Sequence, residues 1–230
     1  MADSPGATGA PHSRPVAEDA IGAADRRPVA KSAIRPDPPV EDHRGWQVSR
    51  RRSASRLRLA DLSPLSKVEI RADPASRVAG TLATRSGRAI RSAGQDLVAG
   101  TGPDRWLVLG PAGSSGKIIE VLGRSGGSEA PAIVDVTHAK TLVRLTGADA
   151  ARVLEKICAI NLSDAVTPPG TCFRSAVARV VCDVIRDDVE QERSYLIACD
   201  RSYGQYLFDT LKDAGSELGA DVDGFPDKEI

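Results

Sequence analysis

Histidine is scarce in this 230-residue chain, which has only His12, His43 and His138. The first two lie in a stretch poor in apolar residues, so His138 is left as the single candidate for acid–base work. Nothing in its spacing sets a nucleophile and an orienting acid beside it; a hydrogen bond to backbone is the simpler use of such an imidazole. One histidine with scattered thiols also falls short of a metal ligand set. Cysteine is equally sparse: Cys158, Cys172, Cys182 and Cys199 include no C-x-x-C pair, the pattern that zinc and redox chemistry usually require. Reduced, buried thiols are expected, with Cys172, beside a loop, the one left open. No apolar run approaches the roughly 18 residues of a membrane helix, and no apolar signal core follows Met1. Net charge is lacking too, with 31 Lys+Arg against 31 Asp+Glu, so no overall field draws the chain to nucleic acid or anionic lipid. A soluble, cytoplasmic protein without a membrane or nucleic-acid partner is expected.

What is present divides unevenly. Residues 1–56 are rich in Pro, Ala, Ser and Arg, with Trp46 as their only aromatic. Such a stretch buries too little surface to offset the entropy of ordering it, which predicts a disordered tail. Its basic cluster Arg50, Arg51, Arg52 and Arg56 could touch RNA, a membrane surface or an acidic protein face, but the acidic residues around it favour a solvated linker. From residue 57 to 215 the apolar pattern becomes regular. Strands are predicted at Val68–Ile70 and Trp106–Leu109, and a helix capped by Ser114 or Ser115 with Ile118, Ile119, Val121 and Leu122 on its apolar face, ended by Gly123 to Gly127. Ile133 to Leu145 reads as two joined strands with Val134, Val136, Val143 and Leu145 inward. A helix follows from Thr146 or Gly147, with Val153, Leu154, Ile157 and Cys158 on its buried side.

Further strands are predicted at Ala176 to Ile185 and Tyr195 to Cys199. A last helix then carries capping-box spacing at Ser202 and Gln205, with Tyr203, Tyr206, Leu207, Thr210, Leu211 and Ala214 on one face. Residues 216–230 read as an acidic tail from which Phe225 could dock. The expected fold class is α+β, a mainly antiparallel sheet with helices on one face.

Two nucleotide-binding patterns fail. The run Gly110 to Lys117 has five residues between Gly110 and Gly116 instead of four, and Ile118 stands where a magnesium-binding hydroxyl is needed. The run starting Gly100-Thr101-Gly102 puts Arg105 at the third glycine position, with Pro103 intruding, so neither FAD nor NAD is implied.

The ordered set Asp135-Val136-Thr137-His138, Leu145-Thr146-Gly147-Ala148-Asp149-Ala150, Pro169-Gly170-Thr171-Cys172 with Arg174, and Asp200-Arg201-Ser202-Tyr203 with Tyr206 resembles the gamma subunit of heterotetrameric sarcosine oxidase. The resemblance covers about residues 62–215, and strand Trp106 to Pro111 fits it. That family is similar in turn to the folate-binding domain of the glycine-cleavage aminomethyltransferase, in which an aspartate of an Asn-Asp pair assists one-carbon transfer to tetrahydrofolate. Here the corresponding place reads Ile160-Asn161-Leu162, and an amide can hydrogen-bond but carries no negative charge. Asp164 comes several residues late.

The resemblance therefore implies an accessory, structural gamma chain. Its partners would be a large alpha subunit with beta and delta subunits, and FAD, FMN, NAD, zinc and tetrahydrofolate would reside in those partners. The whole complex would oxidatively demethylate sarcosine to glycine. No catalytic, cofactor-binding or metal-ligating residue is expected in this chain. A stand-alone folate-binding aminomethyltransferase-like protein is the alternative, with Asp135, His138 and Arg174 as surviving polar contacts.

Overall fold

The computed structural model describes residues 28–126 and 130–226. A hairpin of β1 (Val40–His43) and β2 (Trp46–Ser49) comes first, followed by β3 (Arg58–Asp61), β4 (Ser66–Arg71) and helix α1 (Arg77–Leu82). Strands β5 (Ala89–Arg91), β6 (Leu97–Gly102) and β7 (Arg105–Gly110) lead into helix α2 (Ser115–Ser125) and β8 (Ala132–Asp135). Then come β9 (Lys140–Thr146), α3 (Ala150–Glu155), β10 (Cys172–Val177), β11 (Val180–Arg186) and β12 (Ser194–Asp200). Helix α4 (Gly204–Gly215) and β13 (Asp221–Asp223) complete the order.

The α+β class holds, but there are two main sheets where one was expected. One sheet has the order β5-β6-β7-β4-β8, and the other β10-β11-β12-β9-β3-β13; both are antiparallel except for the β13–β3 pair. Strand alternation assigns the layers. Val143, Leu145, Tyr195 and Ile197 face α3 and α4, while Leu142, Leu196 and Ala198 meet Leu107 and Leu109 of the other sheet. Trp106 and Val108 turn outward under α1 and α2. The result is a helix–sheet–sheet–helix stack whose middle layer buries both inner faces. Asp187 ties the sheets together at one end, accepting from Arg91 at 2.8 and 2.9 Å and from Arg144 at 2.9 Å.

Several local expectations are corrected by long-range contacts. The strands read from Ile133 to Leu145 do not pair with each other: β8 joins β4, while β9 crosses to the second sheet between β12 and β3. Val134 is accordingly 53% exposed on an edge strand instead of inward. The segment read as one strand from Ala176 to Ile185 is a hairpin, turned by Ala178 and Arg179 at φ 50° and 67°. Neither residue favours that backbone region, which is why no turn was legible. The Ala178 N–H donates to Ile157 O at 2.8 Å and the Tyr206 hydroxyl donates to Ala178 O at 3.2 Å, holding the turn from outside.

The helix termini differ as well. α2 is capped from another strand, because the N–H groups of Ser114 and Ser115 donate to Ser66 Oγ at 2.8 and 3.0 Å. Ser202 lies in a 3-10 turn, and Gln205 Oε1 accepts from the Arg35 N–H at 2.8 Å, so no capping box forms at α4. Phe208 joins Leu207 and Leu211 on the buried face of α4, while Tyr203 and Tyr206 stay half exposed.

The expected tail 1–56 is the largest departure. Residues 1–27, with His12, lie outside the described residues, as do Gly127 of the glycine run and residues 227–230. The remainder is packed: Ile34, Trp46 and Val48 are buried, and Trp46 and Val48 help close the inter-sheet core. The basic cluster staples this segment to the C-terminal one. Arg51 reaches Asp221 at 2.8 Å and Val222 O at 3.0 Å, Arg50 reaches Phe225 O at 3.4 Å, and Arg52 reaches Phe225 O at 3.3 Å. Phe225, 2% exposed, docks as the sequence suggested. These contacts recover the burial that each short segment lacks alone.

Candidate functional site

The loop after α3 is where one-carbon chemistry would be expected. Gly147 opens the approach to α3, with φ 138° and a backbone so close to the Arg56 carbonyl that an added Cβ would lie 2.2 Å from its oxygen. Beyond the helix, Leu162 is fully buried and anchors the loop, leaving Asn161 exposed. Asn161 Oδ1 accepts from the Ser163 N–H at 2.9 Å, a local turn that leaves the amide without acid–base capacity. Asp164 receives hydrogen bonds from Arg186 and Arg193, and the Arg186 bond and both guanidinium charges hold its carboxyl below the ordinary range. Arg186 also donates to Asp188 at 3.1 Å and to Thr167 O at 2.7 Å. A carboxylate clamped by two guanidinium groups is a poor base and orders the loop instead.

The three polar contacts considered for folate do not converge. His138 stacks on Trp46, with ring centroids 4.6 Å apart and planes 8° from parallel. Asp135 Oδ1 accepts from the Thr137 N–H at 2.8 Å. Burial would raise this carboxyl, but hydrogen bonds from Ser115 and Thr137 and the nearby His138 together hold it below its ordinary value. Arg174 sits on β10 in the other sheet and pairs with Asp183 at 3.1 Å. No hydrogen bond or ion pair among the described residues joins Arg174 to Asp135 or His138. Hollows with room for a small ligand include one of about 440 Å³ beside Arg58, Arg91 and Arg144, and one of about 420 Å³ under α1 and α2 beside Val98, Val108 and Ile118. None of the three polar residues lines either.

Among the described residues, no group of three or more histidine, cysteine, aspartate or glutamate side chains is placed to hold a metal, and no helix is long and apolar enough to cross a membrane. Cys172 is 2% exposed, and burial pushes its thiol up to about 12, so it is held as the thiol near neutral pH.

Profile comparison decides the kinship: the sarcosine oxidase, gamma subunit family matches residues 71–217. The chain belongs to this family. Among solved structures, this gamma-family chain is similar to the heterotetrameric sarcosine oxidase from Corynebacterium sp. U-96 in complex with pyrrole 2-carboxylate. The TM-score is 0.64 at 21% identity, over 74% of this chain and 89% of that one. It is also similar to the glycine cleavage system aminomethyltransferase T from Bartonella henselae, with a TM-score of 0.62 at 14% identity over 80% of this chain. The gamma-family chain spans only 55% of that transferase. No curated protein matches it.

Sequence reasoning missed Lys67. It alternates with Val68 and Ile70, which reads as one apolar and one solvated face, yet the second sheet covers the other side and Lys67 is fully buried. Its Nζ donates to Ser63 O at 2.6 Å and Leu65 O at 2.8 Å, and burial lowers its pKa to about 7. Above that value the unfolded chain binds a proton that the folded chain does not, until the ordinary lysine value of 10.5 is reached. Stability therefore rises with pH across this window, by at most about 1.4 kcal/mol per unit. Urea unfolding of the wild type and Lys67→Met between pH 7 and 8.5 should show the wild type gaining on the variant as pH increases. A constant difference would mean that Lys67 stays charged when folded.

Proposed function

We propose that this chain is an accessory, non-catalytic gamma subunit of a heterotetrameric oxidase that demethylates sarcosine to glycine. Other subunits are its partners and carry the cofactors: a large alpha chain with beta and delta chains, holding FAD, FMN, NAD, zinc and tetrahydrofolate. The family match over residues 71–217 carries this reading. The chemistry of the loop after α3 supports it, since Asn161 is uncharged and Asp164 is neutralised by Arg186 and Arg193.

The test is recovery of the tagged full chain from its native cell. Flavin-bearing partners should co-purify, and the complex should turn over sarcosine. The isolated chain should carry no flavin absorbance, oxidise no sarcosine and show no saturable tetrahydrofolate binding near a millimolar, a limit of about 4 kcal/mol. Recovery without flavoprotein partners would end the proposal. Turnover or folate saturation by the chain alone would favour an aminomethyltransferase-like protein instead.

A further inference from the structure

Strands β11 and β12 bring two thiols together that no part of the oxidase reading uses. Their register sets Asp183 opposite Ala198 and Ile185 opposite Leu196. One step further along, Cys182 comes opposite Cys199, and both are buried in the same cluster beneath α3 and α4. The backbone of Arg186 turns toward β10, its N–H donating to Thr171 O at 2.8 Å and its C=O accepting from the Gly170 N–H at 2.9 Å. By strand alternation, Val184 and Cys182 turn theirs the same way. Cys182 and Cys199 are therefore a non-hydrogen-bonded cross-strand pair, the arrangement in which Cα atoms lie about 4.5 Å apart and side chains approach closest. A disulfide spans a Cα separation of about 4.4–6.8 Å.

The surroundings favour this pair over the other thiols. Cys182 and Cys199 are each 1% exposed, but they lie at the open end of the β11–β12 ladder, where neighbouring Val181 is 57% exposed. Cys172 faces the inter-sheet core on the opposite side of the sheet. The Cys182 thiol donates to Val180 O at 3.4 Å, and the neighbouring sulfur is the main influence that lowers the Cys199 thiol pKa and raises that of Cys182.

We propose that Cys182 and Cys199 form an oxidisable cross-strand dithiol that a hydroperoxide converts to a disulfide, locking β11 to β12. The Cys199 sulfur attacks one peroxide oxygen, the O–O bond breaks, and an alcohol (water, for hydrogen peroxide) leaves a sulfenic acid on Cys199. The Cys182 sulfur then attacks the Cys199 sulfur and expels the hydroxyl group, which departs as water with the Cys182 proton. The two thiols lose two electrons and two protons, and the peroxide gains them. The step needs only added peroxide, so it stands or falls separately from the subunit reading.

The test uses the reduced full chain, freed of reductant and exposed under native conditions to graded hydrogen peroxide, then alkylated and mapped by mass spectrometry. A Cys182–Cys199 cross-link within one chain should be the first product and should revert with dithiothreitol. Cys182→Ser and Cys199→Ser should each abolish it, and Cys172→Ser should retain it. The wild-type map alone decides the matter if a serine variant misfolds. Cross-linking seen only after denaturation, first oxidation at Cys158 or Cys172, or Cys199 sulfinic acid beside a free Cys182 would each overturn the proposal.

Discussion

A chain beginning at residue 57 should lose its cooperative thermal transition, whereas the full chain retains one. Residues 28–56 supply Ile34, Trp46 and Val48 to the buried clusters, and Arg50 and Arg51 to the staples on Phe225 and Asp221. Trp46 is the largest single contributor. Removing a buried tryptophan side chain costs about 3–5 kcal/mol, a large part of the roughly 5–15 kcal/mol that holds a domain together. Trp46→Ala should show that loss in urea denaturation, and it should also leave the His138 ring without its stacking partner. The deletion should go further, because Phe225 and the middle of the sheet stack lose their cover at the same time. Near-ultraviolet circular dichroism on the shortened chain is the measurement. If that chain melts cooperatively at the full chain's temperature, the hairpin is ornamental and the account of the core is wrong.

Gly147→Ala should destabilise the fold by about 3 kcal/mol or more, as two independent penalties act at one position. The φ of 138° is a conformation that side chains rarely adopt, and the new Cβ would lie 2.2 Å from Arg56 O and 3.1 Å from the carbonyl carbon. Those atoms are backbone and cannot rotate away. Gly219→Ala provides the control, since its φ is 75° but nothing lies within 4 Å of the added carbon; only the left-handed backbone penalty of about 1–2 kcal/mol remains there. The comparison of the two midpoints isolates the clash. Equal losses at both positions would show that the close approach of the Arg56 backbone to the α3 entry yields at little expense.

Much of the fold was readable where burial is one-sided and the neighbours are local. Trp106–Leu109 marked β7, Ile118 and Leu122 marked the inner face of α2, and Leu207 and Leu211 marked that of α4. The ordered motifs around Gly147, Gly170 and Asp200 also carried the kinship that the family match bears out. Legibility failed where the deciding partner is distant in sequence. Trp46 looked like a stray aromatic because its core is assembled from β7, β9 and β12. Lys67 went unread because alternation reports that a face differs, not what covers it. The hairpin at Ala178 and Arg179 lacked turn chemistry because its support comes from Ile157 and Tyr206.

The linear chain settled the α+β class, the helices α2, α3 and α4, the strands β4, β7, β8, β9, β11 and β12, and the absence of charge at Asn161, since these follow from residue type and short-range periodicity. Which sheet each strand joins, whether the early segment is ordered, and where Asp164, His138 and the four thiols stand were settled by folding. Those outcomes depend on contacts between residues far apart in the chain, whose energies exceed local preferences and leave no periodic trace in them.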